Sequence, residues 1–432
     1  MNRRNFFGAI ALASLARAAS PRVNGARLRE HLDGLSIYGR PPGGTFASGV
    51  SRVAYSDADV AGRGYVMKLM EAAGLKPRID AAGNISARRA GSDPQLPPVL
   101  FGSHIDSVPN GGNFDGDVGS LSAIEVIQTL NEAGVTTRRP LEVVIWANEE
   151  GVAYNNGLDG STAAAGRLRP GELDQVWNGV KKSDAIRKIG GDPDHIADAR
   201  RAPGSFACYI ELHIEQGGTL DRDGIPIGVV EGIVGIDRYE VEIRGFANHA
   251  GTTPMPDRRD ALLAASHLVI AVNEIVRREP GAQVGTVGQI AVTPNAPNVV
   301  PGLVRLTVEL RDLSAAKITR LAEQVRARTK EIAQQTSTEI EMKQVAHHDP
   351  ALASPEVQSS IEAACAKLGL RSRRLPSGAG HDAQMMALVG PMGMIFIPSV
   401  RGISHAPQEL SRWDDITRGA DVLLETVLSR SA

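Results

Sequence analysis

The chain has 432 residues, of which 42% are apolar and 22% are charged, values typical of a globular protein with two or three domains. Its 47 basic and 49 acidic side chains give a formal net charge of −2, which argues against a large nucleic-acid-binding surface. No apolar run reaches the ~20 residues of a membrane span, so we expect neither nucleic acid nor membrane as a partner. Two cysteines are too few for a disulfide framework or a Cys-rich zinc site, and any metal must therefore bind histidines and carboxylates.

The first 18 residues have the layout of a secretory leader. Arg3 and Arg4 precede an apolar stretch over residues 6–16, and small residues flank Arg17 at a cleavage point after Ala18. Paired arginines are typical of the twin-arginine type of leader, which predicts a periplasmic protein. The alternative is a short apolar helix that a cytoplasmic protein keeps at its N-terminus.

Strand and helix patterns alternate over the first half of the chain. Apolar residues at helical spacing predict helices over residues 60–75 and 118–130. Short continuous apolar runs predict buried strands over residues 98–101, 141–147 and 206–212. This alternation is typical of a mostly parallel sheet with helices on both faces, so the predicted fold class is α/β.

The middle third of the chain changes character. Its predicted elements are a strand (239–244), a helix (259–277), two strands (284–292 and 303–310), a helix (315–335) and a strand (338–345). The order β-α-β-β-α-β is that of a ferredoxin-like α+β unit, which forms a complete small domain. Because the α/β pattern resumes near Pro355, we predict a small domain inserted into a larger one. The predicted limits are residues 23–232 and 348–432 for the two parts of the larger domain and 233–347 for the insertion.

Candidate metal ligands follow the predicted strand over residues 98–101. His104 and Asp106 come after this strand, where open α/β sheets bind their ligands. Their spacing lets Asp106 accept the outer ring N–H of His104 and hold the ring as a metal ligand. A lone His-x-Asp is more often ordinary structure, but Asp115, just before the next predicted helix, favours a metal site.

Two adjacent glutamates, Glu149 and Glu150, end the next predicted strand. Buried carboxylates need a positive partner, and consecutive strand residues point to opposite faces, so both reach one site only through a turn. A metal explains the pair, because one carboxylate can bind it while the other accepts a proton from its water. The alternative is a solvated acidic turn.

Two more histidines, His213 and His405, end or follow further apolar strands. A site for two divalent cations needs several nitrogen and oxygen donors and a shared carboxylate. Five residues supply that set: His104, Asp115, Glu150, His213 and His405. These donors suit Zn²⁺, Mn²⁺, Co²⁺ and Ni²⁺ alike, so the sequence leaves the identity of the metal open.

These blocks, in this order, resemble the M20 family of metal-dependent amidohydrolases and peptidases. The resemblance is closest to its hydantoinase/carbamoylase branch of N-carbamoyl-L-amino acid hydrolases, β-ureidopropionases and allantoate amidohydrolases. It rests on residues 102–112, 213–217, 248–255 and 402–405, and it covers nearly the whole chain from about Val23.

The resemblance implies that the chain binds two divalent metal ions, zinc or else manganese, cobalt or nickel. His104 and Glu150 would each bind one ion, and Asp115 would bridge the two. His213 would complete the first site and His405 the second.

The resemblance also implies which residues act on the substrate. Glu149 would be the general base that takes a proton from the attacking water and passes it to the leaving nitrogen. His249 would polarise the substrate carbonyl, in its own subunit or in the partner subunit of a homodimer. Gln216, Asn298 and Arg311 match substrate-binding positions, and the planar guanidinium of Arg311 suits an α-carboxylate. The inserted domain would serve as lid and dimerisation surface.

The predicted reaction is hydrolysis of the linear C–N bond of an N-carbamoyl-L-amino acid, which releases the amino acid, ammonia and carbon dioxide. Allantoate and N-carbamoyl-β-alanine are alternative substrates, and a dipeptide is a less favoured one. From another class, the alternative is a metal-binding protein without turnover. Glu149 argues against it, since a protein that only binds has no need of a base beside Glu150.

Some segments lie outside this pattern. Residues 154–161 differ from the corresponding segment of relatives, and Arg401 adds a cation, so either would shift side-chain specificity. His381, in a Gly-rich loop, is predicted to line the pocket without a catalytic role. His347 and His348 are predicted to end a strand before residues 349–350 and to mark a surface turn.

Overall fold

The computed structural model describes residues 20–432, and the leader predicted over residues 1–18 lies outside this range. Its α-helices are α1 (Gly25–Leu35), α2 (Asp57–Ala72), α3 (Asp117–Glu132), α4 (Asp159–Ala164), α5 (Lys182–Lys188), α6 (Thr219–Asp223), α7 (Ala261–Arg278), α8 (Ala315–Thr336), α9 (Pro355–Leu368), α10 (Asp382–Met386) and α11 (Trp413–Arg430). None of the helices within residues 20–432 combines the length and the apolar character needed to cross a membrane.

The strands alternate with these helices in the first and last parts of the chain. They are β1 (Arg78–Ile79), β2 (Ile85–Arg89), β3 (Val99–His104), β4 (Leu141–Trp146), β5 (Val176–Trp177), β6 (Val180–Lys181), β7 (Cys208–Ile214), β8 (Ile227–Ile233), β9 (Gly235–Arg244), β10 (Asn248–His249), β11 (Val284–Thr293), β12 (Val299–Val300), β13 (Leu303–Asp312), β14 (Glu339–His348), β15 (Ala351–Leu352), β16 (Ser372–Ser377) and β17 (Met392–Ile397).

Nine strands form one large sheet in the order β1-β2-β4-β3-β7-β17-β8-β15, with β16 paired to β8. The central strands β4, β3, β7 and β17 are parallel neighbours, whereas β2 and β8 flank them in antiparallel orientation. The carboxyl ends of the four central strands therefore meet along one edge of the sheet. In α/β sheets this edge is where ligands bind.

Both faces of the central strands are buried, which explains why their sequences are continuous apolar runs. On one face, Phe101 and Ile210 pack against α1, α2, α3, α9 and α11. On the other face, Leu100, Val144 and Phe396 pack against α4, α6 and α10. A strand with helices on both sides has no solvent-facing row of side chains, so its sequence cannot alternate between apolar and polar residues.

A second, antiparallel sheet has the order β11-β13-β9-β14. Its elements follow the order β9-α7-β11-β13-α8-β14, which is the predicted β-α-β-β-α-β unit, while β10 and β12 form a separate two-stranded ribbon. Val241 and Leu306 pack under α7 and α8, and Glu240, Glu242 and Arg305 lie on the other, exposed face. The predicted fold class is thus confirmed, and the domain limits stay predictions.

Strand β14 extends further than the sequence predicts. The predicted strand stops at residue 345, with His347 and His348 marking its end at a surface turn; in the structure both are strand residues that pair with Asp237 and Ile236 of β9. Nδ1 of His347 also lies 2.6 Å from Oδ1 of Asp237. These contacts keep both histidines in the strand, and the chain leaves it only at residues 349–350.

Candidate metal centre

The five predicted metal ligands converge at the carboxyl edge of the large sheet. His104 is the last residue of β3, His213 lies near the end of β7, and Glu150 and His405 follow β4 and β17. Asp115 lies between β3 and α3. Because the four strands are neighbours, residues far apart in the sequence come together at this edge.

Asp115 is the centre of the cluster. Its Oδ1 is 3.2 Å from Nε2 of His213 and 3.6 Å from Nε2 of His104, while its Oδ2 is 3.5 Å from Nε2 of His405. Oε2 of Glu150 lies 3.3 Å from the same nitrogen of His405. The donors thus form two groups that share Asp115, and within each group all donor atoms lie within 4.8 Å of one another.

The ring orientation of two histidines suits metal binding. Nδ1 of His104 lies 3.0 Å from the carbonyl oxygen of Asp106, and Nδ1 of His213 lies 2.9 Å from that of Ile214. A carbonyl oxygen only accepts hydrogen bonds, so each Nδ1 carries the ring proton. Nε2 of each ring is therefore the nitrogen left to bind a metal, and it faces Asp115.

Several buried carboxylates lie close together in the cluster. Burial raises the pKa of Glu149 well above that of an ordinary carboxyl group, and burial together with Asp115 raises the pKa of Glu150 to about 8. Nε2 of His104 and Oε1 of Glu150 are buried, and neither has a hydrogen-bond partner within residues 20–432. Divalent cations would compensate the carboxylates and bind the unpaired donors, so these residues fit metal binding.

A turn after β4 brings Glu149 and Glu150 to the same site. Asn148, just before the pair, has a φ of +51°. The carboxylate of Asp106 accepts the backbone N–H of Glu149 at 3.1 Å and that of Glu150 at 3.2 Å. Oε2 of Glu149 lies 3.7 Å from Nε2 of His104. Glu149 is therefore beside the first donor group without being part of it.

Asp106 acts differently from the sequence-based expectation. Its Oδ1 is 3.8 Å from Nδ1 of His104, which is too far for a hydrogen bond, and its backbone carbonyl binds that nitrogen instead. The two amide groups of the glutamate turn draw both carboxylate oxygens away from the ring. Asp106 thus fixes the glutamate pair with its side chain and His104 with its backbone.

Gln216, a predicted substrate-binding residue, contacts the cluster directly. Its Nε2 donates to Oδ2 of Asp115 at 2.7 Å, and its backbone N–H donates to Oγ of Ser399 at 2.9 Å. Oγ of Ser404 lies 2.8 Å from the same oxygen of Asp115. Gln216 and Ser404 therefore help to orient Asp115, and contact of Gln216 with substrate stays a prediction.

His249 and Asn298 lie on the β10–β12 ribbon and its turn, where both are exposed. The backbone N–H of Ala250 donates to the carbonyl of Asn298, which joins the two segments. Nδ1 of His249 accepts the backbone N–H groups of Gly251 and Thr252 at 3.0 and 3.2 Å, so the neutral ring carries its proton on Nε2. Within the described part of the chain these contacts are local, and neither residue joins the metal cluster.

Arg311, on β13, contacts a loop of the large-sheet region. Its Nη1 donates to the carbonyl oxygen of Gly378 at 2.7 Å, and its Nε donates to Oε1 of Glu309 at 2.8 Å. Gly378 belongs to the loop that leads to His381, whose buried ring lies 4.5 Å from that of His213. Arg311 is thus connected, through the loop that contains Gly378 and His381, to the surroundings of the candidate ligand His213.

Arg52 was not among the predicted site residues, yet its side chain is fully buried. Its guanidinium donates to the carbonyl oxygens of Ile105 and Tyr38 and forms an ion pair with Asp117. It therefore joins the segment after His104 to the first turn of α3. Nothing in the sequence distinguishes this arginine from an exposed one.

Glu409 was also missed, although it stands in the same block as His405. Its Oε1 accepts the backbone N–H groups of Phe114 and Asp115 at 3.0 and 3.1 Å, and its Oε2 accepts the hydroxyl of Ser404 at 2.8 Å. Burial and the charge of Asp115 raise its pKa to about 7. Glu409 thus fixes the backbone of the shared ligand.

Comparisons with known proteins agree with this geometry. The model of peptidase family M20/M25/M40 matches residues 100–429. The chain is 41% identical over 406 residues to an N-carbamoyl-L-amino acid amidohydrolase of Geobacillus stearothermophilus, covering 94% of this chain and 98% of that protein. It is 35% identical over 399 residues to an allantoate amidohydrolase of Escherichia coli (strain K12), covering 92% and 95%. A solved amidase of the hydantoinase/carbamoylase family from Burkholderia multivorans has a TM-score of 0.87 at 37% identity, covering 96% of this chain and 99% of that one. The chain therefore belongs to the M20/M25/M40 peptidase family, as its motifs predicted.

Proposed function

We propose that this protein is a metal-dependent amidohydrolase that cleaves the linear C–N bond of N-carbamoyl-L-amino acids, releasing the amino acid, ammonia and carbon dioxide. The proposal rests on Asp115, whose two oxygens face separate donor groups while Glu149 lies beside the first. The choice of substrate is supported by the identity to the Geobacillus amidohydrolase over nearly the full length of both chains.

Two divalent ions would be held by the two donor groups. His104, Asp115 and His213 would bind one ion, and Asp115, Glu150 and His405 would bind the other. When bound, such ions supply Lewis acidity, which polarises a carbonyl and lowers the pKa of water. Zinc is the first choice, with manganese, cobalt and nickel as alternatives, because histidine and carboxylate donors suit all four.

Glu149 would move the proton that the reaction requires. It would take this proton from the attacking water and give it to the nitrogen that becomes the amino group of the released amino acid. The remaining carbamate then decomposes to ammonia and carbon dioxide. Burial raises the pKa of Glu149, which makes its carboxylate a stronger proton acceptor.

The Nε2–H of His249 would donate to the substrate carbonyl oxygen, where negative charge develops. We propose that it does so across a homodimer, because His249 and Asn298 are exposed and make only local contacts within residues 20–432. Helix α7 also carries exposed Leu263 and Ile270, which a second copy of the chain would bury. Sedimentation equilibrium at assay concentrations tests this, since a monomer with full activity contradicts it.

Allantoate is the second candidate substrate, and the similarity to the Escherichia coli allantoate amidohydrolase favours it. Allantoate also carries a carboxylate next to ureido groups, so the same arrangement of Arg311 and metal ligands would accept it. β-Ureidopropionase activity is a further alternative, and dipeptidase activity is less favoured.

A substrate panel tests the function. The metal-reconstituted protein is assayed with N-carbamoyl-methionine, N-carbamoyl-β-alanine, allantoate and a dipeptide, each with Zn²⁺, Mn²⁺ or Co²⁺. We expect the highest kcat/KM for N-carbamoyl-methionine. A higher value for allantoate would select the second candidate, and turnover of the dipeptide alone would refute the assignment to non-peptide bonds.

We propose that residues 1–18 direct the protein to the periplasm through twin-arginine export. Full-length protein in a host with this pathway is then expected in the periplasmic fraction without residues 1–18. Replacing Arg3 and Arg4 together by lysine should keep the protein inside, because the pathway recognises the arginine pair. Cytoplasmic recovery of both forms with intact N-termini would favour the retained-helix alternative.

A further inference from the structure

The loop after the glutamate pair has an unusual backbone. Four of its residues have φ values in the left-handed region, which residues other than glycine rarely adopt. They are Asn148 (+51°), Tyr154 (+64°), Asn155 (+50°) and Leu158 (+61°). Such residues raise the energy of the backbone and persist where the surrounding structure fixes them. Something outside the loop must therefore hold it.

The base of the loop is closed by three hydrogen bonds. The backbone N–H groups of Leu158, Asp159 and Gly160 donate to the carbonyl oxygens of Glu149, Asn148 and Ala147 at 2.9, 3.1 and 2.9 Å. The backbone of Glu149 is thus bonded to the start of α4. Its position depends on where residues 158–160 lie.

A buried lysine binds this base from outside the loop. Lys182, the first residue of α5, is 1% exposed, and its Nζ donates to Oδ1 of Asp159 at 2.8 Å. The same Nζ lies 3.3 Å from Oε1 of Glu172 and 5.4 Å from the ring centroid of Tyr154. One cation therefore contacts both the base of the loop and its strained middle.

Asp159 connects the lysine to the residue that precedes Glu149. Its Oδ2 accepts Nδ2 of Asn148 at 2.6 Å and the hydroxyl of Tyr55 at 3.1 Å. Without the ammonium group of Lys182, two buried carboxylates would lose their shared cation and would separate or admit water. Asn148 would then lose the partner that fixes its conformation.

We propose that Lys182 is a positioning residue for Glu149. It acts through Asp159 and Asn148, and it holds the turn that directs the carboxylate toward His104. This inference rests on the proposed role of Glu149 as general base. Because misplacing a reacting group by about 1 Å costs roughly 10²-fold in rate, the contribution of Lys182 should be measurable in kcat.

The test is Lys182→Met, with Lys181→Met as a matched control. Lys181 is the preceding residue, but its side chain is 56% exposed and it pairs with exposed Asp174 at 3.4 Å. We expect Lys182→Met to lower kcat by roughly 10- to 100-fold with little change in KM. In the metal-free protein, the amides of residues 158–160 should exchange hydrogen faster, while those of β3 stay unchanged. The control should match the parent in both measurements.

If Lys182→Met does not fold, Lys182→Met with Glu172→Gln preserves the net charge of the cluster, and the same results are expected. Unchanged exchange at residues 158–160 overturns the proposal, and so does faster exchange with the kcat of the parent. The exchange experiment needs neither metal nor substrate. A parent protein that fails to hydrolyse any ureido acid would therefore refute the proposed function separately.

Discussion

The Glu149→Gln variant is expected to lose turnover by roughly 10²- to 10⁴-fold while it keeps the metal content of the parent. Glutamine preserves the size of the side chain but cannot take up a proton. Glu149 lies outside both donor groups, so its replacement leaves all five candidate ligands in place. The measurements are kcat with N-carbamoyl-methionine and the metal content of the reconstituted protein.

Asp115→Ala provides the contrasting variant. Asp115 belongs to both donor groups, so its removal takes an anionic ligand from each, and metal content and turnover should fall together. Activity near that of the parent in Glu149→Gln would show that another group moves the proton. Loss of metal from that variant would instead make Glu149 a ligand.

Arg311→Lys is expected to weaken transition-state binding of an N-carbamoyl amino acid by roughly 2–4 kcal/mol, judged from truncations of buried charge pairs, which cost about 2–5 kcal/mol or more. Lysine keeps the positive charge but loses the planar fork that binds a carboxylate through two hydrogen bonds. The corresponding amide, which carries no carboxylate, should already be a poor substrate of the parent and should lose little more. The measurement is kcat/KM for acid and amide on both proteins.

Arg238→Ala serves as a control for Arg311, because Nη2 of Arg238 lies 2.6 Å from the same carboxylate of Glu309. It disturbs the partner of Arg311 without removing the guanidinium that would bind substrate. Arg311 also contacts Gly378, so a purely structural effect would lower the rates for acid and amide equally. Equal losses would leave the carboxylate-bearing substrate class without its main support.

The sequence was sufficient to predict where the candidate ligands lie. Short apolar runs identified the central strands, and polar residues at their ends had to meet at one edge of a parallel sheet. His104, Glu150 and His213 were found in this way, since each needs only the end of its own strand to be recognised. The β-α-β-β-α-β order could also be predicted, because the periodicity of apolar residues within each element is a local property of the sequence.

The contacts behind the ligands could not be predicted, because they join residues far apart in the sequence. Arg52 reaches Asp117, and Glu409 reaches Asp115, only after the sheet has formed. The carboxylate of Asp106 could accept either the ring N–H of His104 or the backbone N–H groups of Glu149 and Glu150. It accepts the two backbone groups because of the turn that follows β4. Spacing along the chain contains no information about that choice.

The chain crosses between the two sheets at residue 234 and again at residues 349–350. The strands on either side of these crossings are paired: Ile236 of β9 lies opposite His348 of β14, and Ile233 of β8 lies opposite Ala351 of β15. The two crossings therefore lie side by side.

This arrangement affects the order of folding. The entropy lost on closing a loop grows with the number of free residues in it. Before the small sheet forms, pairing β8 with β15 must close a loop that spans residues 234–350. Once the small sheet has formed, the two ends of that segment are already adjacent. Pairing β8 with β15 then closes a loop with only a few free residues. Formation of the small sheet first therefore lowers the entropic cost of completing the edge of the large sheet that carries β8 and β15.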